Sequence, residues 1–239
     1  MKNRIYLIGI YCLTMCISAI SQKADLNLFI KETQKTDTKT GSNIGKAWRL
    51  LVATELPIYL FTSRRLGFRN WRDGDLEEFA AMNADSSVME FFPFHLTTAE
   101  TEKFMQRLRH DFDTHGYCYY AVEMLDSCEF IGFIGLSYQD YASEFNPSTD
   151  IGWRLKKSSW GQGFATEGAT RCLAYAFEEL NLDAVTSVCT ISNHKSEHVM
   201  KKIGMRKMGE FKHPKLKDYP EYEKCMWYII SKSDFKNNF

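Results

Sequence analysis

The run Trp160-Gly161-Gln162-Gly163-Phe164-Ala165-Thr166-Glu167 constrains the fold of this chain more than any other feature. It separates a strand-like segment, residues 149–156, from a helix-like segment that reaches Leu180. Glycine lets the backbone approach a ligand closely, and the N-terminus of the helix directs free N–H groups at the same point. The run therefore predicts a binding site for a phosphate or pyrophosphate in an α/β protein, although a lone glycine pair is also typical of plain turns.

The composition is that of a globular protein without a bias toward polyanions. Of the 239 residues 44% are hydrophobic, which is enough for one full core. Lys plus Arg equals Asp plus Glu, so the formal net charge is zero. We therefore expect no nucleic-acid partner, and no membrane partner for the folded domain. Seven cysteines without a regular spacing are typical of a reduced, intracellular protein.

The N-terminal segment differs from the rest of the chain. Lys2 and Arg4 precede an apolar run, and residues 1–21 resemble a secretory signal peptide. A polar, linker-like stretch follows, so we expect residues 1–57 to lie outside the fold and residues 58–239 to form the domain. Either the segment targets the protein for export, or translation begins further downstream.

Hydrophobic periodicity after Pro57 predicts strands and helices in the order β-α-α-β-β-β-α-β-α-β-β. The helix boundaries rest on a capping box at Thr97–Glu100, a stop at Gly116, a cap at Asn193 and a stop at Gly204. The predicted strands are residues 63–71, 117–124, 129–138, 149–156, 184–191, 206–211 and 222–230. We expect one domain with a mixed sheet.

Two sequence motifs within this series of strands and helices resemble those of a known protein family. The strand Asp150-Ile151-Gly152-Trp153-Arg154-Leu155 with the glycine run, and the later Asn193-x-x-Ser196 followed by Lys202-Ile203-Gly204-Met205, are similar to the GNAT N-acetyltransferases. Trp160 stands where that superfamily usually has Gln or Arg, a departure common in the RimJ/RimL-like subgroup. The resemblance covers roughly residues 60–230.

This resemblance implies an α/β (α+β) domain whose mixed central sheet has two splayed strands and is flanked by helices. It also implies transfer of an acetyl group from acetyl-CoA, as cosubstrate, to a primary amine of a protein N-terminus or a small molecule. The amine would attack directly in a ternary complex, without a metal, in a monomer or homodimer. Because acetyl-CoA is cytosolic, we expect a cytoplasmic protein, with export as the alternative.

The resemblance assigns the cosubstrate to the glycine run and the two splayed strands. The pantetheine arm would lie between residues 149–156 and 184–191, and the Leu155 N–H would face the acetyl oxygen. Asn193 is either a pantetheine contact or a helix cap, and Ser196 either holds the sulfur or is a first-turn hydroxyl. The pyrophosphate is expected at the backbone of Gly161, Gln162, Gly163, Phe164, Ala165 and Thr166.

Proton transfer needs a base, because an amine with a pKa of ~10 is protonated at neutral pH. Asp150 is the first candidate, with a solvated strand end or a turn cap as the equal alternative, whereas Glu123 and His213 are weaker candidates. We expect Cys189 to pack in the core rather than to act as a nucleophile.

Other side chains are assigned by type. Phe91 and Phe92, with Tyr138, are expected to line the amine pocket, although exposed aromatic residues also occur at the edge of a core. Arg154 and Lys156 are expected to be solvated strand charges, although either could meet a CoA phosphate.

Three features of the sequence favour other interpretations. His194-Lys195-Ser196-Glu197-His198 fits a zinc-protease motif but lacks a third ligand, and the surrounding lysines disfavour a cation. Gly41–Ala47 lacks the first glycine and the final Ser or Thr of a phosphate-binding P-loop. The third is the signal-like N-terminus, which favours a non-catalytic GNAT-like module that binds acyl-CoA, possible for an exported protein.

Overall fold

A computed structural model describes residues 59–238, so the predictions for residues 1–57 lie outside the described part of the chain. Within that part, none of the helices is long and apolar enough to cross a bilayer. The strands are β1 (Phe61–Thr62), β2 (Leu66–Arg69), β3 (Tyr119–Met124), β4 (Phe130–Gln139), β5 (Ser148–Leu155), β6 (Ala184–Thr190), β7 (Arg206–Lys212) and β8 (Lys224–Ser231). The α-helices are α1 (Leu76–Ala84), α2 (Thr98–His115), α3 (Phe164–Glu178), α4 (His194–Lys202), α5 (Pro220–Glu223) and α6 (Lys232–Asn238).

The strands of residues 59–238 form one sheet in the order β1-β2-β3-β4-β5-β6-β8-β7. Neighbouring strands are antiparallel except β5 and β6, which are parallel and register only at Asp150 and Thr186. The predicted mixed sheet with two splayed strands is thus confirmed.

Helices cover both faces of the sheet. Phe79 of α1 and Phe104 of α2 contact the ring of Phe133 on β4, so these helices lie on one face. The next residue, Ile134, points to the opposite face, where α3 packs. A Cβ on Gly168 of α3 would come within 2.3 Å of the Ile134 Cδ1 atom, so a larger residue at this position requires the Ile134 side chain or α3 to shift.

The predicted helix boundaries are confirmed by the side chains at the helix ends. The Thr97 hydroxyl accepts from the Glu100 N–H while the Glu100 carboxylate accepts from the Thr97 N–H. Gly116 ends α2 with a φ of 78°, and Gly204 follows α4 with a φ of 80°. These are left-handed conformations that favour glycine.

The predicted order missed three features. The first predicted strand is a hairpin, because Ser63 and Leu66 close a tight turn between β1 and β2. The short helix α5 starts at Pro220 in a segment too brief for a periodic signal. Helix α6 follows Ser231, whose hydroxyl accepts from the Asp234 N–H. The Ser-x-x-Asp spacing could have predicted that last helix.

Candidate functional site

Strands β5 and β6 pair at Asp150 and Thr186 and separate beyond Asp150, so that a gap opens between them. Lys156 donates its N–H to Ile131 on the β4 side. Because strand residues alternate in direction, the N–H and C=O of Leu155 face away from β4, toward the gap. The Leu155 carbonyl accepts from the Trp160 indole at 2.9 Å, whereas its N–H has no hydrogen-bond partner within residues 59–238. That this N–H meets the acetyl oxygen stays a prediction.

The glycine run turns sharply from β5 into α3. Gly161 and Gly163 have φ angles of 74° and 80°, left-handed values that L side chains rarely adopt. Gly163 is the N-cap of α3 and supplies no side-chain acceptor. Within residues 59–238, the N–H groups of Phe164, Ala165 and Thr166 therefore have no side-chain partner. Such a helix start is suited to binding an anion.

Gln162 orders the run rather than pointing freely outward. Its side-chain amide donates to the Ser158 carbonyl at 3.0 Å. Its own carbonyl accepts from the Arg65 guanidinium at 3.0 Å. The run is therefore held from both sides before any ligand binds.

Arg65 is a residue of this site that sequence reasoning missed. Its Nε donates to the Glu167 carboxylate at 2.6 Å, and its guanidinium lies 4.3 Å from the centre of the Phe164 ring. Ser63 donates to the same carboxylate at 2.7 Å. Burial opposes ionisation, but the hydrogen bonds from Ser63 and Arg65 hold the pKa of Glu167 below its usual value. These contacts join the β1–β2 turn to the start of α3 and place a cation beside the glycine run.

The Asp150 carboxyl lies at the point where β5 and β6 diverge. It is buried, accepts from the Tyr119 hydroxyl at 2.5 Å and also accepts from the Val188 N–H. Burial raises the pKa of Asp150 to about 7, although both hydrogen bonds act in the opposite direction. The alternative of a solvated strand end is therefore wrong, and the carboxyl has the acidity that a base needs at neutral pH.

Helix α4 begins shortly after β6, with Asn193 as its N-cap residue. The Asn193 side chain accepts from the Ser196 N–H at 3.0 Å, so its predicted capping role is confirmed. The Ser196 hydroxyl is half-buried and has no hydrogen-bond partner within residues 59–238. Cys189 is buried on β6, and burial raises the pKa of its thiol to about 12, which suits packing rather than nucleophilic attack.

The predicted aromatic pocket is divided between the two faces of the sheet. Asp150 is paired with Ser137, so the next residue on β4, Tyr138, points to the opposite face and stacks on His115 at 5.0 Å. The structure therefore does not bring Tyr138 together with Asp150, which corrects its assignment to the amine pocket. Phe92, in contrast, lies on the Asp150 face beneath the Arg154 guanidinium.

Phe91 lies near the opening of the gap. Its ring centre is 5.9 Å from the Lys195 ammonium, which is also 4.9 Å from the centre of the Trp160 ring. Lys195 donates to Glu90 at 3.1 Å as well. A cation from α4 thus links the loop before α2 with the residue that opens the glycine run.

The prediction that Arg154 and Lys156 are solvated is wrong. Arg154 is half-buried, donates to the Asn83 amide oxygen at 2.7 Å, and its guanidinium lies 4.1 Å from the Phe92 ring centre. Lys156 pairs with Glu78 of α1. Both side chains are on the face that α1 and α2 cover, and that cover removes part of each from bulk water.

The two weaker candidates for the base have other partners. Glu123 is buried and accepts from Arg69 at 2.6 Å and from Tyr59 at 3.0 Å. His213 accepts from the Lys215 N–H at 3.2 Å. Burial and the Lys215 charge lower the pKa of His213.

The zinc-protease-like motif at residues 194–198 lies in α4, where its side chains contact other residues of the protein. Glu197 accepts from the Tyr228 hydroxyl at 2.7 Å and pairs with Lys201 at 2.8 Å. His194 is exposed and lies 3.7 Å from the same carboxylate. In the described part of the chain, no group of three or more His, Cys, Asp or Glu side chains could hold a metal ion.

Comparison with known proteins agrees with this geometry. The model of the acetyltransferase (GNAT) domain family matches residues 65–206, more than half of the chain. The uncharacterized N-acetyltransferase YnaD of Bacillus subtilis is 32% identical over 152 residues, which cover 63% of this chain and 85% of YnaD.

Solved structures show the same fold. A GNAT-family acetyltransferase from Bacillus anthracis has a TM-score of 0.59 and 27% identity, covering 72% of this chain and 98% of that one. A spermidine N-acetyltransferase from Vibrio cholerae, in complex with CoA and spermine, has a TM-score of 0.57 and 22% identity at the same coverage, a likeness of fold alone. The chain described here therefore belongs to the GNAT family of acetyltransferases.

Proposed function

We propose that this protein transfers the acetyl group of acetyl-CoA to a primary amine by direct attack in a ternary complex. The gap between β5 and β6 carries this proposal, because it combines a free backbone donor at Leu155, a helix start suited to a pyrophosphate and a carboxyl at Asp150 with a pKa of about 7. The CoA bound by a solved protein of the same fold supports the choice of cosubstrate.

Different residues of this site would bind different parts of acetyl-CoA. The N–H groups of residues 164–166 would hold the pyrophosphate, and the free edge of β5 would pair with the peptide-like pantetheine arm. The Leu155 N–H would donate to the thioester oxygen, where negative charge develops during attack.

The chemical step needs one base and little acid. The amine forms the N–C bond as the C–S bond breaks, and its proton passes to the Asp150 carboxylate, directly or through water. The CoA thiol resembles cysteine, with a pKa of ~8.5, so the thiolate leaves with modest help. The Ser196 hydroxyl, which lacks a partner in the described part of the chain, is the proposed donor to that sulfur.

We place the protein in the RimJ/RimL-like branch and in the cytoplasm. Trp160 at the start of the glycine run supports the branch, and its indole bond to the Leu155 carbonyl gives that residue a local role. The cytosolic supply of acetyl-CoA supports the compartment. Mass spectrometry of the N-terminus of protein from cells tests the latter, since cleavage before Gln22 would contradict it.

The experiment is a panel of amines incubated with the full-length chain and acetyl-CoA. Release of free thiol together with an acetylated amine in the mass spectrum supports the proposal, and the substitution Arg206→Gln on the exposed strand β7 is a matched control. Binding of acetyl-CoA without thiol release would instead favour the alternative, a non-catalytic module that binds acyl-CoA. Absence of binding would exclude both.

A further inference from the structure

Arg154 places a cation on the sheet face that carries Asp150. The two residues are four positions apart on β5, so their side chains point to the same side. The Tyr119 side chain lies between them, since a Cβ on Gly152 would meet its ring at 3.0 Å and its hydroxyl bonds to Asp150. The three side chains thus line one continuous surface beneath α1 and α2.

The guanidinium of Arg154 has no carboxylate partner within residues 59–238. One nitrogen donates to Asn83, whereas the Nε atom is buried without any hydrogen-bond partner. Its other neighbours are aromatic rings, with centroids at 4.1 Å for Phe92, 5.4 Å for Phe133 and 6.0 Å for Phe104. Burial accordingly lowers the pKa of Arg154 to about 10. A guanidinium partly withdrawn from water without a counterion is unfavourable, so its retention points to an anion that binds beside it.

The charged side chains around Arg154 do not neutralise it. Arg107 of α2 lies 4.8 Å from the Phe104 ring centre and makes no ion pair in the described part of the chain. Of the acidic side chains on the elements around Arg154, Glu78 pairs with Lys156 and Glu90 with Lys195, while Asp150 accepts from Tyr119 and Val188. Within residues 59–238, Arg154 and Arg107 therefore flank the Phe104 ring and neither makes an ion pair with a carboxylate.

From this arrangement we infer that the acetyl acceptor carries a carboxylate as well as its amine, and that Arg154 is the residue that selects it. The inference rests on the proposed acetyl transfer and deepens it. The carboxylate pairs with the Arg154 guanidinium in a charge-assisted contact. The apolar body of the acceptor packs on the aromatic rings, and the amine reaches the thioester. A polyamine offers only cations to this surface and is disfavoured by repulsion.

The test compares acceptors that differ only in that charge. The full-length protein is assayed by thiol release with free amino acids, the corresponding amino-acid amides, and spermidine. A second set contains C-terminally amidated peptides with a free N-terminus and either Glu or Gln at the second position. A preference for the acid in the first set identifies a free amino acid as the acceptor. A preference for Glu over Gln in the second set identifies an acidic protein N-terminus.

We expect kcat/KM to be about 10- to 100-fold higher for the acid than for its amide in at least one set. In Arg154→Gln the ratio should fall to about one while acetyl-CoA binding is unchanged, and Arg154→Lys should restore part of it. Arg206→Gln, on β7, should keep the wild-type ratio. If Arg154→Gln does not fold, the exposed Arg107→Gln variant should still lower the ratio severalfold.

Other outcomes would overturn the inference. They are equal rates for acids and amides, a preference for spermidine, turnover of no carboxylate-bearing amine, or an acid preference that survives in Arg154→Gln. Failure of the proposed function looks different, because no amine of any kind, spermidine and the amides included, would then release thiol, whether or not acetyl-CoA binds.

Discussion

Replacement of Asp150 by Asn tests the proposed base and the unusual acidity of its carboxyl together. Asn keeps an oxygen that can accept from the Tyr119 hydroxyl and the Val188 N–H, so the strands should still meet at this point. It cannot accept a proton from the amine. Loss of a general base lowers kcat by about 10²- to 10⁴-fold, and we expect a loss in that range with acetyl-CoA binding retained.

The pH dependence follows from the raised pKa of Asp150. With a pKa of about 7, the active carboxylate form should appear as the pH rises, so kcat/KM of the wild type should increase between pH 6 and pH 8, that is, about one unit on each side of this pKa. The substitution Tyr119→Phe removes a hydrogen bond that favours the charged form. It should therefore move the rise by about one pH unit toward alkaline values.

The same acidity predicts an effect on stability with a definite sign. An Asp whose pKa is higher in the folded protein binds a proton more tightly there than in the unfolded chain, so its contribution to stability falls as the pH rises toward about 7. A shift from 3.8 to about 7 corresponds to at most about 4 kcal/mol. Asp150→Asn should thus gain in melting temperature relative to the wild type between about pH 4 and pH 7 and hold a constant gain above.

Steady-state thiol release and thermal melts over this pH range check both effects. The reasoning would be refuted by an Asp150→Asn enzyme with activity close to the wild type. It would also be refuted by a difference in melting temperature that does not change with pH.

Four further substitutions test other parts of the account. Gly163→Val puts a β-branched residue at a φ of 80°, and the KM for acetyl-CoA should rise at least about tenfold; an unchanged KM would remove the glycine run from the cosubstrate site. Glu167→Gln breaks the ion pair with Arg65, so acetyl-CoA binding measured by calorimetry should weaken severalfold at neutral pH. Arg69→Met leaves Glu123 and Asp75 buried without a cation, and denaturant unfolding should show a loss of about 3–5 kcal/mol. Gly168→Val forces a side chain against Ile134 and should cost about 1–3 kcal/mol by the same measurement, whereas a neutral effect would show that α3 can move.

Local signals in the sequence were sufficient for most of the fold. The capping box at Thr97 and the stop at Gly116 depend on residues within one or two turns, so they could be read without tertiary information. The glycine run was identified for the same reason, because its left-handed turns are a local requirement of Gly161 and Gly163.

Contacts between distant segments account for what sequence reasoning missed. Arg65 and Glu167 are 102 positions apart, and no local pattern pairs one of two adjacent arginines with that carboxylate. The error at Tyr138 has a different origin. Because successive strand residues point to opposite faces, Tyr138 and Ser137 lie on different faces of the sheet. Only the register of β4 against β5 shows that Ser137 is the one that shares a face with Asp150.

The environment of Arg154 also lay beyond sequence reasoning. Its position on a strand next to Lys156 suggested two solvated charges, since charged strand residues often face water. The contacts that bury it come from Asn83 of α1 and from Phe92 in the loop before α2, which precede it by more than 60 residues. Only the packed fold shows that the guanidinium has no carboxylate partner among residues 59–238.

Titration of the full-length protein with acetyl-CoA tests the central claim most directly, that the gap between β5 and β6 and the glycine run bind this cosubstrate. We predict saturable binding of one acetyl-CoA per chain that is strongly weakened in Gly163→Val and unchanged in Arg206→Gln. Absence of binding to the folded wild-type protein, or binding that Gly163→Val leaves intact, would contradict the account.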